Sequence, residues 1–249
     1  MKNIALFLSL VFCPFVGQAD EFVPTYTEWH DLQVNEINRL PVHTSFFAFE
    51  NEALAVKRLA ENSSLYQSLN GTWELQGFGD PIYVNSGFGW NGHFENNPPE
   101  VPVKDNHVGS YRRTVEIPAA WDGRQIIIHF GSVTSNIYLY VNGQFVGYAE
   151  DSKLAAEFDI TPFVKPGKNL IAFQTFRWCD GSYCEDQDFW RFSGVARDSY
   201  LYCRDKEVHV DDIRITSDLT DNYKDGILKI AAKATGDAVV SYKLIDADG

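Results

Sequence analysis

The chain has 249 residues and carries 34 Asp and Glu against 21 Lys and Arg, a formal charge of −13. That balance argues against nucleic acid or an anionic membrane surface as partner, since both repel an acidic protein. No basic stripe or phosphate-cradling glycine loop is present, and no long apolar run follows residue 19, so no membrane association is expected of the mature chain.

The first 19 residues read as an export signal. Lys2 supplies the positive start, Ile4 to Val16 the apolar stretch and Gly17-Gln-Ala19 a small-residue cleavage site before Asp20. The expected destination is a periplasm or the medium. Cleavage leaves three cysteines, Cys179, Cys184 and Cys203, an odd number with no metal-ligand spacing. Residues 20–70 form an irregular, aromatic-rich lead-in with a helical turn or two near Ala53–Ala60. Its cluster Phe46-Phe-Ala-Phe49 is too apolar to stay wet and is expected against the body of the next domain.

Residues 71–205 read as short strands divided by turn residues. Ser110 to Ile117 alternates, with Tyr111, Arg113, Val115 and Ile117 on one face, and Gln125 to Phe130 is strongly apolar. Asn136 to Val141 alternates again before Asn142-Gly143, the sharpest hairpin signal in the chain, and Gln144 to Tyr148 returns. Phe158 to Phe163, Asn169 to Arg177 and Arg197 to Cys203 complete the set. Strands of this length and spacing predict an all-β antiparallel sandwich of the jelly-roll kind. Residues 206–249 alternate at Val208–Thr216, Ile227–Ala232 and Ala238–Ile245 like immunoglobulin-type strands. Such a sandwich needs about seven strands. The second domain is therefore expected to be incomplete.

The chemistry concentrates between Arg177 and Gly194. Asp180, Glu185, Asp186 and Asp188 fall within nine residues, bracketed by Trp178, Phe189 and Trp190. Carboxylates accept hydrogen bonds from hydroxyls and coordinate hard cations, and aromatic faces pack on sugar rings. A polyhydroxylated ligand suits that mixture, and so does the alternative of an acidic surface loop with buried tryptophans. Cys179 and Cys184 flank a tight turn that could bring them within disulfide reach, and two unbonded thiols are the equal alternative. His129 and His43 read as packing or hydrogen-bonding residues rather than ligands.

The run from Arg177 to Gly194 resembles the matching segment of the glycoside hydrolase family 2 β-galactosidases of the large bacterial type. So do Glu36-Ile-Asn-Arg-Leu-Pro-Val-His-Thr-Ser-Phe46, Ser68-Leu-Asn-Gly-Thr-Trp73 and Asp80-Pro-Ile-Tyr-Val-Asn85. Asn97-Pro-Pro-Glu-Val-Pro102, Val108-Gly-Ser-Tyr-Arg-Arg113, Val141-Asn-Gly-Gln-Phe-Val-Gly147 and Glu150-Asp-Ser152 continue the match in family order. The resemblance implies a jelly-roll sugar-binding domain followed by the start of an immunoglobulin-like domain. The expected function is the N-terminal part of an exported enzyme that hydrolyses terminal non-reducing β-D-galactosides with retention. Its two catalytic glutamates would lie in a barrel domain absent from this chain, so the chain alone is expected to be inactive and its partners are the β-galactoside and the remaining domains. A stand-alone carbohydrate-binding module is the alternative.

Residue by residue, the resemblance makes Asp188 a ligand for sugar hydroxyls and part of a sodium site, and Asn85 a substrate contact. Asp180, Glu150, Asp31 and Glu28 match or lie near places where the family has oxygen ligands for magnesium, with solvated surface acids as the alternative. Arg177, Arg191 and Arg197 are expected to neutralise part of the acidic cluster. Glu185, the one residue that could stand in as an acid, reads as a structural or orienting carboxylate. Trp178 and Trp190 read as core residues before sugar platforms. Family members also carry a further segment between Trp73–Gln76 and Asp80–Asn85, which this chain lacks. Large relatives often associate through this region, so a homo-oligomer is compatible.

Overall fold

The computed structural model describes residues 23–76, 94–185 and 193–245, together with the backbone of residues 8–10. Alternating apolar side chains and punctuating turns give fifteen strands among these residues. In chain order they are β1 (Leu8–Leu10), β2 (Glu36–Ile37), β3 (Tyr66–Ser68), β4 (Glu74–Gln76), β5 (Val108–Ile117), β6 (Gln125–Phe130), β7 (Val133–Thr134) and β8 (Ile137–Val141). There follow β9 (Gln144–Ala149), β10 (Ala156–Asp159), β11 (Gly167–Phe176), β12 (Gly194–Val195), β13 (Ser199–Arg204), β14 (His209–Thr220) and β15 (Asp225–Thr235). Two short helices, α1 (Glu52–Lys57) and α2 (Ser182–Glu185), interrupt them. The fold is all-β and almost wholly antiparallel.

The chain divides into two units. Among the described residues the larger holds 23–42, 49–76, 94–185 and 193–204 and the smaller holds 8–10, 43–48 and 205–245. In the larger unit a six-stranded sheet, β2-β9-β8-β11-β5-β4, faces a four-stranded sheet, β10-β6-β13-β3, with a small β12-β7 pair beside them. Leu139, Ile171 and Phe173 from the first sheet meet Ile128, Phe130, Phe158 and Leu201 from the second in one buried core. Burying a side chain of this size removes it from water at a gain of about 1.5–3 kcal/mol, which is why the inward positions are so uniformly apolar. Trp121 is buried among them, and its indole donates to the carbonyl of Ser64 (2.9 Å). On β5 the expected face is found: Val115 and Ile117 are buried, and Tyr111 packs on the same core.

The turns follow their residues. Asn142 (φ 52°) and Gly143 (φ 82°) both take the left-handed backbone that a tight hairpin requires. Asn142 also accepts from Leu170 N (2.9 Å) and donates to Asn169 Oδ1 (2.9 Å). Asn169, buried in β11, donates in turn to the carbonyls of Lys165 (2.6 Å) and Gly167 (2.8 Å). These side chains stand in for ladder bonds that the turns leave unmade. The two-residue strand β2 pairs with the end of β9, Glu36 opposite Ala149. Gly147 permits this approach: a Cβ there would stand 2.5 Å from the carbonyl oxygen of Ile37 and 2.7 Å from the Phe158 ring.

The smaller unit is built on β14 and β15, a long antiparallel ribbon whose hairpin turn uses three left-handed residues, Asp221, Asn222 and Tyr223. Leu8–Leu10 runs parallel to β15 at Leu8↔Ile230. The strand expected at Ala238–Ile245 does not form; Val239 and Leu244 there are 96% and 66% exposed. A strand needs a neighbour to pair with and a layer to pack on, and alternation alone supplies neither. The aromatic cluster at 46–49 also departs from expectation. Phe46 and Phe47 group with the smaller unit and Phe49 with the larger, and all three are only half-buried. Thr44 N and Oγ1 both donate to Asp212 Oδ1, at 3.1 and 2.8 Å, and the His43 and Phe46 rings lie 5.1 Å apart.

Candidate functional site: a buried carboxylate cluster

Asp188 and Asn85, together with Asp186, Phe189, Trp190 and Arg191, lie outside the described residues, as does the place where the family segment would fall. The described part of the acidic run, Trp178 to Glu185, leaves the end of β11 and turns into α2. Asn106 fixes the start of this turn, donating to Trp178 O (2.8 Å) and accepting from Trp178 N (2.9 Å). Ser182 closes it, its hydroxyl accepting from Cys179 N (3.0 Å) and its own N–H reaching Cys179 O (3.0 Å). Cys179 is buried and Cys184 is exposed, and no disulfide joins them. The turn is already closed by Ser182, so the bond is not needed to shape it.

The turn docks on the outer face of the six-stranded sheet, where Trp29, Tyr138, Tyr148 and Cys179 form a second buried cluster. The main chain makes the connection, Asp180 N donating to Trp29 O (3.0 Å). Trp29 sits in a 3-10 turn over Glu28–His30, so this bond brings Glu28 and Asp31 alongside Asp180. Tyr138 on β8 and Tyr148 on β9 are cross-strand partners with rings 4.5 Å apart. Tyr138 donates its phenol to Glu28 Oε2 (2.9 Å) and Tyr148 donates to Glu150 Oε1. Two tyrosines in register thus present two glutamates to the same turn.

The acids differ in how they are satisfied. Glu28 is buried yet accepts from Thr25 N (2.8 Å), Thr25 Oγ1 (2.9 Å) and Thr27 N (3.0 Å) as well as Tyr138. Burial pushes its pKa up, but these donors outweigh it and hold the carboxyl below its ordinary value. Asp31 is exposed and accepts from Gln33 N (3.0 Å). Glu185 clamps Ser152, accepting from its N–H (2.7 Å) and from its hydroxyl. Both bonds tie α2 to Ser152, which is a structural role.

Glu150 and Asp180 are the exception. Both are buried, and ligand atoms of Glu150, Cys179 and Asp180 all lie within 4.8 Å of one another. Burial lifts Glu150 to about 8 against the bond from Tyr148, and the neighbouring charge of Asp180 adds to the rise. Asp180 is raised too, mainly by burial. Two acids at this distance in a dry site share one proton, since both cannot ionise without a cation. One atom remains over: Asp180 Oδ2 is buried with no hydrogen-bond partner.

Four site residues predicted from sequence therefore separate in the structure. Glu150 and Asp180 come together, Glu28 stands beside them with its oxygens already bonded, and Asp31 lies at the rim. Trp178 is half-buried against Phe94 (rings 5.5 Å apart, edge on) with the Arg177 guanidinium 4.9 Å from its ring centre. Arg197 donates to Lys153 O (2.5 Å). His129 bonds Glu157 (2.7 Å) and stacks on Tyr200 (4.3 Å), and His43 bonds Thr44 O (2.7 Å), packing and bonding roles as expected. Sequence reasoning missed Tyr138, Tyr148 and the Ser152 clamp. The alternation of Ile137, Leu139 and Val141 with Tyr138 and Tyr140 was the available signal, since it turns the tyrosines outward together.

Residues 44–205 match the family model for the glycosyl hydrolases family 2 sugar binding domain. The chain belongs to that family. It is 36% identical over 242 residues to a β-galactosidase of Priestia megaterium, an alignment covering 83% of this chain and 23% of that protein. A β-galactosidase of Halalkalibacterium halodurans is 35% identical over 88% of this chain and 25% of its own length. The chain therefore spans about a quarter of the length of these curated relatives. Among solved structures, a β-glucuronidase of Ruminococcus gnavus aligns with a TM-score of 0.48 at 21% identity, over 70% of this chain and 34% of that one.

Proposed function

We propose that this chain is the N-terminal sugar-binding part of an exported retaining β-galactosidase. The observation that supports the reading best is the identity of 36% and 35% to relatives named β-galactosidase, sustained across 83–88% of this chain. In this reading the chain orients the galactosyl group and the catalytic carboxylates belong to further domains. Asp188 and Asn85 would bind sugar hydroxyls, and Asp188 would contribute to a sodium site. A carboxylate that accepts two hydroxyls fixes ring orientation, which adds to rate when the contacts tighten in the transition state.

The buried carboxylate cluster fits a magnesium ion in part. Glu150 and Asp180 offer buried carboxylate oxygens, one of them unpartnered, which is the hard oxygen chemistry magnesium prefers. Glu28 adds negative charge and Asp31 a carboxylate at the rim. The Cys179 thiol is a poor match for magnesium and, with burial and Glu150 pushing its pKa up, stays protonated. The ion would be structural, tying the 3-10 turn at Glu28–His30 to the acidic turn.

Substitution and truncation test the reading. In a full-length parent enzyme, Asp188→Asn should lower kcat/KM for an aryl β-galactoside roughly a hundredfold or more, with unchanged thermal unfolding; equal rates would refute the assignment. The 249-residue chain alone should show no turnover of the same substrate. For the metal, magnesium should raise the unfolding midpoint of this chain more at pH 8 than at pH 5, and Asp180→Asn should abolish the effect.

A further inference from the structure

The second buried cluster covers the outer face of the six-stranded sheet around Tyr138 and Tyr148. Towards β11, β5 and β4 the same face holds, among the described residues, a groove of about 380 Å3. Its floor is one straight row across four strands: Tyr140 on β8, Ala172 on β11, Arg112 on β5 and Glu74 on β4 are successive cross-strand partners. Ala172, the smallest of them, makes the depression between taller walls. In the next row Gln174 donates to Ser110 Oγ (3.2 Å), leaving an amide and a hydroxyl in the groove.

One wall is aromatic. Tyr26 takes a left-handed backbone (φ 59°), a conformation that is strained for a non-glycine residue. It is held there by Trp29, whose indole donates to Tyr26 O (2.9 Å), and by stacking on Tyr138 at 5.4 Å. The result is a Tyr26 side chain over the sheet, its hydroxyl bonded to that of Tyr140. The other wall is an exposed ion pair, Arg112 Nε to Glu74 Oε2 at 2.6 Å. Its charges cancel locally, so an acidic or basic ligand gains nothing, while an uncharged ligand meets donors and acceptors side by side.

We propose that this groove is a second saccharide site, taking a neutral glycan of two or more sugar units. The glycan lies over Ala172 between the tyrosine wall and the Arg112–Glu74 pair. Pyranose rings carry apolar C–H faces for the tyrosines and vicinal hydroxyls that bridge a guanidinium and a carboxylate. The volume falls within the range of about 300–1,000 Å3 usual for small-molecule sites. A lipid tail would strand the polar wall, and a peptide strand added at β4 would pair beside the groove rather than fill the depression over Ala172, which lies on the inner strand β11. The site goes beyond the proposed role of Asp188 and uses none of the residues of the carboxylate cluster.

The test is a titration of the purified 249-residue chain with lactose, read by backbone amide shifts. Saturable shifts are expected at Ser110, Arg112, Ala172 and Gln174, with no such response to glycerol or glucuronate. Ala172→Tyr, which fills the floor from the solvent side, should weaken lactose at least tenfold with the unfolding midpoint retained. Arg112→Ala does the same from the wall and serves if the first variant does not fold. Asp188→Asn should leave these shifts unchanged. Absence of saturable shifts at the groove, equal affinity in both groove variants, or an equal response to glycerol would overturn the proposal. Loss of the shifts in Asp188→Asn alone would also overturn it, and would favour the substrate-loop reading instead.

Discussion

β6 and β14 start from similar local chemistry and end differently. Both carry isoleucines suited to a pleated surface. In β6, Ile126, Ile128 and Phe130 are buried because a second sheet lies across the core. In the β14–β15 ribbon Ile215 and Leu219 are 64% and 55% exposed, and Ala232 is the one described residue of that unit in the buried class. Strand formation is decided locally, and burial is decided by whether another layer exists. Free energy follows the layer.

That contrast can be broken or sharpened by measurement, beginning where the change in stability should be greatest. Phe130→Ala should destabilise the sandwich by about 3–5 kcal/mol in urea unfolding, as large-to-small changes in a closed core do. A loss under about 1 kcal/mol would mean that the core is looser than its burial implies.

The next effect concerns the acids made dry by the outer layer. Glu150 ionises at about 8 in the folded chain against an ordinary value of 4.5. A carboxyl raised in this way keeps its proton longer in the folded state. Its contribution is most favourable below pH 4.5 and is lost as pH rises towards about 8. In the presence of a chelator, stability should therefore fall by a few kcal/mol across that window, and Glu150→Gln should flatten the profile. A profile unchanged by the substitution would show that Glu150 does not hold the shared proton.

Smaller still is Asn169→Ala, which orphans the carbonyls at the start of β11 and should cost about 1–3 kcal/mol by thermal unfolding. At the far end of the scale Ile215→Ser on the ribbon should change stability by less than about 0.5 kcal/mol. A larger loss there would reveal a layer over that face.

Much of the sandwich was legible because its signals are local. Asn142-Gly143 encodes its own turn, and the alternation of Val115 and Ile117 names the buried face of β5 without reference to any partner. The failures share the opposite cause. Ala238–Ile245 has the alternation of a strand and lacks the neighbour that would make it one. Phe46 and Phe47 lie next to a polar contact, Thr44 on Asp212, that no hydrophobic pattern announces. In the carboxylate cluster, resemblance singled out four acids, but only tertiary structure could separate Glu28, bonded by Thr25 and Tyr138, from Asp180 with its unpartnered oxygen. Hydrogen bonds from a distant strand and a neighbouring turn leave no mark in a sequence pattern.

The seat of β2 has a consequence for the order of assembly. Residues 23–40 leave the ribosome early, yet the slot that receives Glu36 is Ala149 on β9, far later in the chain. The slot is also narrow, since only the bare backbone of Gly147 admits the passing chain beside Phe158. Long-range closures of this kind come late in folding. The amino-terminal segment must therefore wait, undocked, until β9 and the acidic turn have been synthesised, and only then can Trp29 O accept from Asp180 N.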